Sequence, residues 1–380
     1  MTRTLVPQHI LDLKPYQAGK PIEELAREKN LTHISKLASN ENPFGPSPLA
    51  LKAIEKSLQD IHLYPDSSSF ALKTALAKKF KLKTENIILG AGSDSIMANI
   101  ARAFIQIGDE VVTCENTFIT FFILAKGSGA KIVTSPMKDM RYDVEAMAKL
   151  ISDKTKIVYI ANPDNPSGTY INKKEFDYLM DVIPKHCLVI LDEAYFEFAQ
   201  QHQDYPDSMH YRYDNVITLR TFSKSYGLAG LRIGYGFAHE DLISHLHKVK
   251  LPFEPNRLAQ VAALAALDDH DHVEQMLKNN KIQYERLITY LKNKNFSPTP
   301  SATNFVSFFT GSSEASLELY ERLLDQGVII RPLKGNNMPE YVRVSLGTPQ
   351  EMDHLFSALD KILPLFDKTY AMQRSSHGKF

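Results

Sequence analysis

Thr221-Phe222-Ser223-Lys224-Ser225-Tyr226-Gly227-Leu228-Ala229-Gly230-Leu231-Arg232 is the stretch on which the reading of this chain turns. It follows Asn215–Arg220 (NVITLR), a β-branched, apolar run that reads as a buried strand. The strand runs into small and hydroxylated residues, with glycines at Gly227, Gly230 and Gly234. A lysine placed there sits on a tight turn at a strand's C-terminal end, the edge at which open α/β sheets bind ligands. Lysine is a surface residue by default. In a half-buried site it gives up its proton more easily and becomes a nucleophile. Thr221, Ser223 and Arg232 add two hydroxyls and a guanidinium within one short span, a donor set suited to a phosphate.

Working outward, the same pattern of apolar strand followed by a polar turn recurs upstream. Asn86–Leu89 leads into Gly90-Ala91-Gly92-Ser93-Asp94 and a helix from about Ser95 to Ile105. A glycine turn opening a helix offers N–H groups and a positive dipole end to an anion. Ser95 stands where a dinucleotide fingerprint has its third glycine, so a nicotinamide site is a weak reading. Glu110–Cys114 precedes the aromatic run Thr117-Phe118-Ile119-Thr120-Phe121-Phe122, and Ile157–Ile160 ends in the rigid turns Asn162-Pro163-Asp164-Asn165-Pro166-Ser167-Gly168. Cys187–Leu191 ends in Asp192-Glu193-Ala194-Tyr195. A carboxylate at the end of an apolar strand is costly unless paired, and a protonated ring nitrogen would pair it. Strand, helix and loop repeat in this order, which predicts a mostly parallel sheet with crossovers.

Two other segments carry polar groups that need a reason. Asn40-Glu41-Asn42-Pro43-Phe44-Gly45 reads as a fixed, non-helical loop. Arg343 sits mid-strand in Tyr341–Thr348 among apolar neighbours, where an arginine needs an anion or a carboxylate. The run Asp268-Asp269-His270-Asp271-His272 is metal-like in composition only, because residues two apart do not share a helix face.

Bulk composition narrows the classes. The 380 residues can build a substantial core in more than one unit. Lys+Arg and Asp+Glu are both 44, which gives no electrostatic case for nucleic acid or an anionic membrane. Two cysteines, Cys114 and Cys187, make no disulfide framework, and a reducing, cytoplasmic compartment is expected. The first residues, MTRTLVPQHI, lack the apolar run of a signal peptide, and no stretch approaches the roughly 20 apolar residues of a membrane span. The end of the chain, KTYAMQRSSHGKF, reads as a polar tail.

The lysine segment and its partners resemble the class II group of fold-type I pyridoxal-phosphate (PLP) aminotransferases, and within it the histidinol-phosphate aminotransferases. The match runs through T-hydrophobic-S-K, an arginine eight residues after the lysine, N-E-N-P-F-G, Y-P, G-S-D, N-P-x-N-P-S-G and D-E-A-Y, and it covers nearly the whole chain. The resemblance implies an α/β fold with a mostly parallel central sheet in a large domain plus a smaller α/β domain. The expected division is residues 1–50 joining the small domain, 51–275 forming the large PLP-binding domain and 276–380 the small domain.

By the same resemblance, Lys224 is the Schiff-base lysine and proton shuttle, and Asp192 keeps the pyridine nitrogen charged. Asn165 and Tyr195 bind the ring oxygen. Gly92, Ser93, Thr221, Ser223 and Arg232 hold the phosphate, and Phe121 stacks on the ring. Tyr64, in Leu63-Tyr64-Pro65, reaches the phosphate in the neighbouring subunit of a homodimer. Tyr16, Asn42, Arg331 and Arg343 contact the substrate, and Glu254 lies near the pocket with no assigned role. No metal is expected. The implied reaction moves an amino group between glutamate and 3-(imidazol-4-yl)-2-oxopropyl phosphate. An aromatic amino-acid aminotransferase, and a PLP decarboxylase of a phosphorylated amino acid, remain as alternatives.

Overall fold

Alternate residues of the apolar runs go to opposite faces of one sheet. Ile157, Tyr159 and Ala161 enter one buried cluster with Val111, Ile190 and Ile217. Val158 and Ile160 enter another with Val112, Val189 and Leu191. Both faces are covered, so the strands read as unbroken apolar runs rather than as alternating ones.

The computed structural model describes residues 5–15, 19–208 and 213–370, the last four by backbone alone. Tyr16 and residues 371–380 lie outside the described residues. Among the described residues the large sheet contains β1 (Ile87–Gly90), β2 (Glu110–Cys114), β3 (Lys131–Ser135), β4 (Thr155–Ala161), β5 (Leu188–Asp192), β6 (Val216–Thr221) and β7 (Gly234–Phe237). Its order is β1-β7-β6-β5-β4-β2-β3. All neighbours are parallel except β7, which runs antiparallel to both β1 and β6. The glycine-broken GYGF of β7 gave no strand signal in the sequence.

A second, antiparallel sheet contains Ser297–Pro298, β8 (Phe305–Phe309), β9 (Arg331–Pro332) and β10 (Tyr341–Ser345). Its core joins Val306, Phe308, Val342 and Val344 to Leu319, Leu323, Leu355 and Leu359 from two helices. From the expected N-terminal segment, Ser35–Lys36 pairs in parallel with Val328–Ile329. The helix His270–Asn293 runs unbroken through the expected junction at 275–276. Asp269 is its N-cap, accepting from the His272 N–H at 3.4 Å and the Ser47 hydroxyl at 2.5 Å. The acidic-histidine run is therefore a helix start. The last helix, Pro349–Tyr370, takes in the first residues of the expected tail. No helix among the described residues is long and apolar enough to cross a membrane.

The ends of β5 and β6 are locked from behind. Arg220 and Glu193 are each 1 % exposed, and the guanidinium meets the carboxylate at 2.7 and 2.9 Å. Asp207 accepts from Arg220 at 3.0 Å, and the guanidinium carbon stacks 3.3 Å from the Phe196 ring centre. Removing one partner of a buried pair strands the other charge. Arg220→Ala is expected to cost about 3–5 kcal/mol, measured as the shift in urea midpoint, and Arg220→Met with Glu193→Leu is expected to recover most of it.

Candidate active site

The C-terminal ends of β1, β4, β5 and β6 open onto one cavity of about 140 Å³. Ser93, Asn165, Asp192, Tyr195, Thr221, Ser223, Lys224 and Arg232 all line it. Their codes lie up to 139 residues apart, and the parallel strands bring them together because each crossover returns the chain to the same edge.

One end of the cavity is a cup of hydrogen-bond donors. The helix Ser93–Phe104 begins two residues earlier than its spacing suggested, with Gly92 as N-cap at φ +80°. The first-turn N–H groups of a helix have no partner within it. A Cβ at residue 92 would come within 2.6 Å of Arg232 Nη2 and displace the guanidinium, and the positive φ there favours glycine. Arg232 donates to Asp94 at 3.1 Å and to the Ser223 hydroxyl at 3.4 Å. The Thr221 hydroxyl donates to Ser223 Oγ at 3.0 Å and accepts from the Ser223 N–H at 3.1 Å.

Asp192 and Lys224 supply opposite charges in a place that favours neither. Asp192 is 4 % exposed and accepts from the Tyr159 hydroxyl at 2.9 Å and the Ala194 N–H at 3.2 Å. Burial pushes its carboxyl up to about 7 in spite of these bonds. Burial, and then the positive charge of Arg343, lower the Lys224 amine to about 8. Its Nζ lies 5.7 Å from the centre of the Tyr195 ring. The Tyr195 hydroxyl accepts from Asn40 Nδ2 at 2.9 Å, and burial holds it up at about 12.

Arg343 crosses between the two sheets. It is 9 % exposed and donates to Asn165 Oδ1 and, at 2.8 Å, to the Ala38 carbonyl. Arg331 faces it in register across β9 and β10, so both side chains leave the same face of the small sheet. Gly19 packs against the Arg331 guanidinium.

Two expected assignments change. Phe121 does not line the cavity. It is 1 % exposed and stacks on Tyr159 at 4.4 Å, inside the large core. The residue of that aromatic run in the cavity wall is Phe118. The run Ile119–Gly127 is a helix, and it carries Phe121 away from the strand end that places Phe118. Asn42 serves the lysine turn instead of the cavity: Nδ2 donates to the Ser225 carbonyl at 2.9 Å and Oδ1 accepts from the Phe44 N–H. Gly227, at φ +71°, lies so close to Gly45 that a Cβ would fall 2.1 Å from its carbonyl oxygen. The loop around Asn42 thus props the turn that presents Lys224. Asn40, which the sequence reading passed over, is the loop residue that reaches Tyr195; only its place beside Asn42 could have pointed to it.

Tyr64 lies elsewhere. It is 76 % exposed, stacks on Phe253 at 4.3 Å and lines a different cleft, with Asn256 and Arg257. Glu254 accepts from the Ser95 hydroxyl at 2.6 Å, behind the donor cup.

These residues fit the cofactor that the resemblance implies. The cup offers backbone and side-chain donors to a phosphate, and a Cβ at residue 92 would push on the Arg232 guanidinium that belongs to it. Phe118 and Ala194 give the cavity apolar surface for a flat ring. Among the described residues no cation bonds Asp192, and a protonated ring nitrogen would provide one. Lys224 is neutral above pH 8, where an unperturbed lysine stays charged to about 10.4. Labelling of Lys224 by an amine-reactive acyl reagent, read by peptide mass, is therefore expected to rise through a midpoint near pH 8. Arg343→Met removes a cation that disfavours the ammonium, and is expected to move that midpoint upward.

The sequence pattern of aminotransferase class I and II matches residues 32–359. A histidinol-phosphate aminotransferase 2 of Hydrogenovibrio crunogenus is 43% identical over 358 residues, covering 93% of this chain and 95% of its own. A histidinol-phosphate aminotransferase 1 of Mannheimia succiniciproducens is 42% identical over 354 residues, with 93% and 96% covered. Among solved structures, the Sinorhizobium meliloti histidinol-phosphate aminotransferase in complex with pyridoxal-5'-phosphate superposes with a TM-score of 0.87 at 30% identity, over 96% of this chain and 99% of that one. Thermus thermophilus aspartate aminotransferase shares the fold at a TM-score of 0.82 and 21% identity. With the lysine, the carboxylate and the donor cup gathered at one sheet edge, the chain belongs to the class I and II aminotransferase family.

Proposed function

We propose that the protein is a PLP-dependent histidinol-phosphate aminotransferase of histidine biosynthesis, moving the amino group of histidinol phosphate to 2-oxoglutarate. The products are 3-(imidazol-4-yl)-2-oxopropyl phosphate and glutamate. The observation that carries the reading is the convergence of Lys224, Asp192 and the Ser93/Thr221/Ser223/Arg232 cup on one cavity. Two relatives of that name, above 40% identity over more than nine-tenths of the chain, support the substrate.

When bound, PLP supplies an electron sink for the carbanion left after the donor's Cα proton departs. The chain supplies the rest. Arg232, Ser223, Thr221 and the Gly92–Ser93 helix start hold the phosphate end. Asp192 would keep a proton on the ring nitrogen, and Tyr195 with Asn165 would hold the ring oxygen. Lys224 Nζ would hold the cofactor's carbonyl end and would serve as the base that takes the Cα proton and returns it. Arg343 and Arg331 bind the acidic end of donor or acceptor.

The reading includes a homodimer in which Tyr64 reaches the neighbouring cavity. Its high exposure, and the exposed Ile61, Leu63, Leu251 and Phe253, support this. A cytoplasmic location suits the two buried, unbridged thiols Cys114 and Cys187.

Two measurements test this. Holoenzyme mixed with histidinol phosphate is expected to lose its PLP absorbance band and gain the amine form; a response to phenylalanine alone would move the protein to aromatic amino acids. Lys224→Ala and Tyr64→Ala proteins, each of low activity, are expected to regain activity when their subunits are mixed and exchanged. In a mixed dimer one cavity then has both the lysine and the neighbouring tyrosine intact. No recovery would place Tyr64 outside the shared site.

A further inference from the structure

Asp164 is a fully buried carboxylate to which the proposed chemistry gives no task. It stands between Pro163 and Asn165, which both line the cavity, and does not line it itself. Its Oδ1 accepts from the Thr117 hydroxyl at 2.5 Å, and its Oδ2 accepts from the Ser167 N–H at 3.1 Å. Thr117 Oγ1 accepts in turn from the Tyr142 hydroxyl at 2.7 Å, and the Tyr142 oxygen accepts from the Ala161 N–H at 3.1 Å. Thr117 immediately precedes Phe118, the aromatic wall. One carboxylate therefore joins the residue beside the stacking ring to the residue beside Asn165.

Both ends of this bridge are also tied to the small sheet and its turns. The Ser307 hydroxyl donates to the Pro166 carbonyl, and the Thr299 hydroxyl donates to the Ser167 carbonyl at 2.8 Å. Asn336 donates to the Thr117 carbonyl at 3.4 Å. Arg343 itself bonds Asn165. An amide of the same size would fill this space without a buried charge. Packing alone therefore does not account for a carboxylate here. The Thr117 hydroxyl, at 2.5 Å, and the Ser167 N–H, at 3.1 Å, converge on its two oxygens and make it a rigid strut, since bonds to an ionised acceptor are stronger than neutral ones.

We propose that Asp164 is a positioning residue: through the Thr117 hydroxyl it fixes the Phe118 ring, and through the 162–169 loop it fixes Asn165, so that ring wall and ring-oxygen partner keep one register. The proposal rests on the PLP reading of the cavity and extends it to a residue that touches neither cofactor nor substrate.

The chain has no tryptophan, so Phe118→Trp places a single fluorophore in the wall. In this reporter protein without cofactor, Thr117→Val is expected to shift emission to the red and to raise acrylamide quenching about threefold, an effect of the size expected when a charged hydrogen bond is lost. Thr117→Ser, which keeps the hydroxyl, is expected to match the reporter parent. In the Phe118 protein, Thr117→Val is expected to weaken PLP binding about tenfold, and Thr117→Ser by about twofold at most. Should Thr117→Val fail to fold, Asp164→Asn decides. It keeps the shape and leaves one acceptor oxygen for two donors, so the folded protein is expected to bind PLP about tenfold more weakly. Parent-like emission in the reporter, or parent-like PLP affinity in a folded Thr117→Val or Asp164→Asn protein, overturns the proposal. If the unsubstituted protein binds no PLP, the cofactor reading fails by itself, and the cofactor-free emission comparison still judges Asp164.

Discussion

A carboxyl and an amine share one dry cavity, and neither is comfortable there. Water removed from Asp192 holds its proton on to about pH 7, and water removed from Lys224, with Arg343 nearby, strips its proton from about pH 8. At neutral pH both groups therefore sit close to the point where they change charge. Such an arrangement is costly for a folded chain by itself. It becomes favourable when a ligand brings a cation to the carboxylate and a carbonyl to the amine. The rest of the structure keeps these two groups in place: parallel strands that end at one edge, a salt bridge behind them and a propped turn in front.

The salt bridge illustrates how the strand ends are held. Glu193 follows Asp192 and Arg220 precedes Thr221, so the Arg220–Glu193 pair lies one residue away from two cavity groups. Alternation along a strand sends neighbours to opposite faces. The pair thus clamps β5 to β6 from the far side while Asp192 and Thr221 face the cavity. In front, the Asn42–Gly45 loop packs on Gly227 so closely that no side chain fits between them. The turn carrying Lys224 is held from a segment more than 180 residues earlier, and the same loop brings Asn40 to Tyr195.

The small sheet adds the second charge centre. Arg343 and Arg331 stand opposite each other on antiparallel strands, an arrangement of like charges that is unfavourable without anions. Arg343 finds partial compensation in the Asn165 and Ala38 oxygens. Because Asn165 belongs to the large unit, the bond also sets how the two sheets meet over the cavity. Hydroxyls of Ser307 and Thr299 on the 162–169 loop reinforce that seam.

Much of this was legible before any coordinates. Apolar runs followed by polar turns revealed strands of the parallel sheet, and Ser93, Asn165, Asp192, Tyr195, Thr221, Ser223, Lys224 and Arg232 at or just past their ends line one cavity. These signals are local: strand propensity, turn chemistry and the misfit of a charged residue in an apolar run can each be read from a few neighbours. What needed the tertiary structure was direction and partnership. The helix at Ile119–Gly127 turned Phe121 into the core and left Phe118 at the cavity, a difference of three residues that aromatic composition could not resolve. Asn42 proved to bond Ser225, 183 residues away, and Asp164 to bond Thr117, 47 residues away. The antiparallel β7 arises because its neighbours β1 and β6 supply the ladder that its glycines cannot promote. Sequence pattern determined which residue types stand at the strand ends. Long-range packing decided which of them face the cavity and which hold the others still, since side-chain direction depends on contacts that no local window contains.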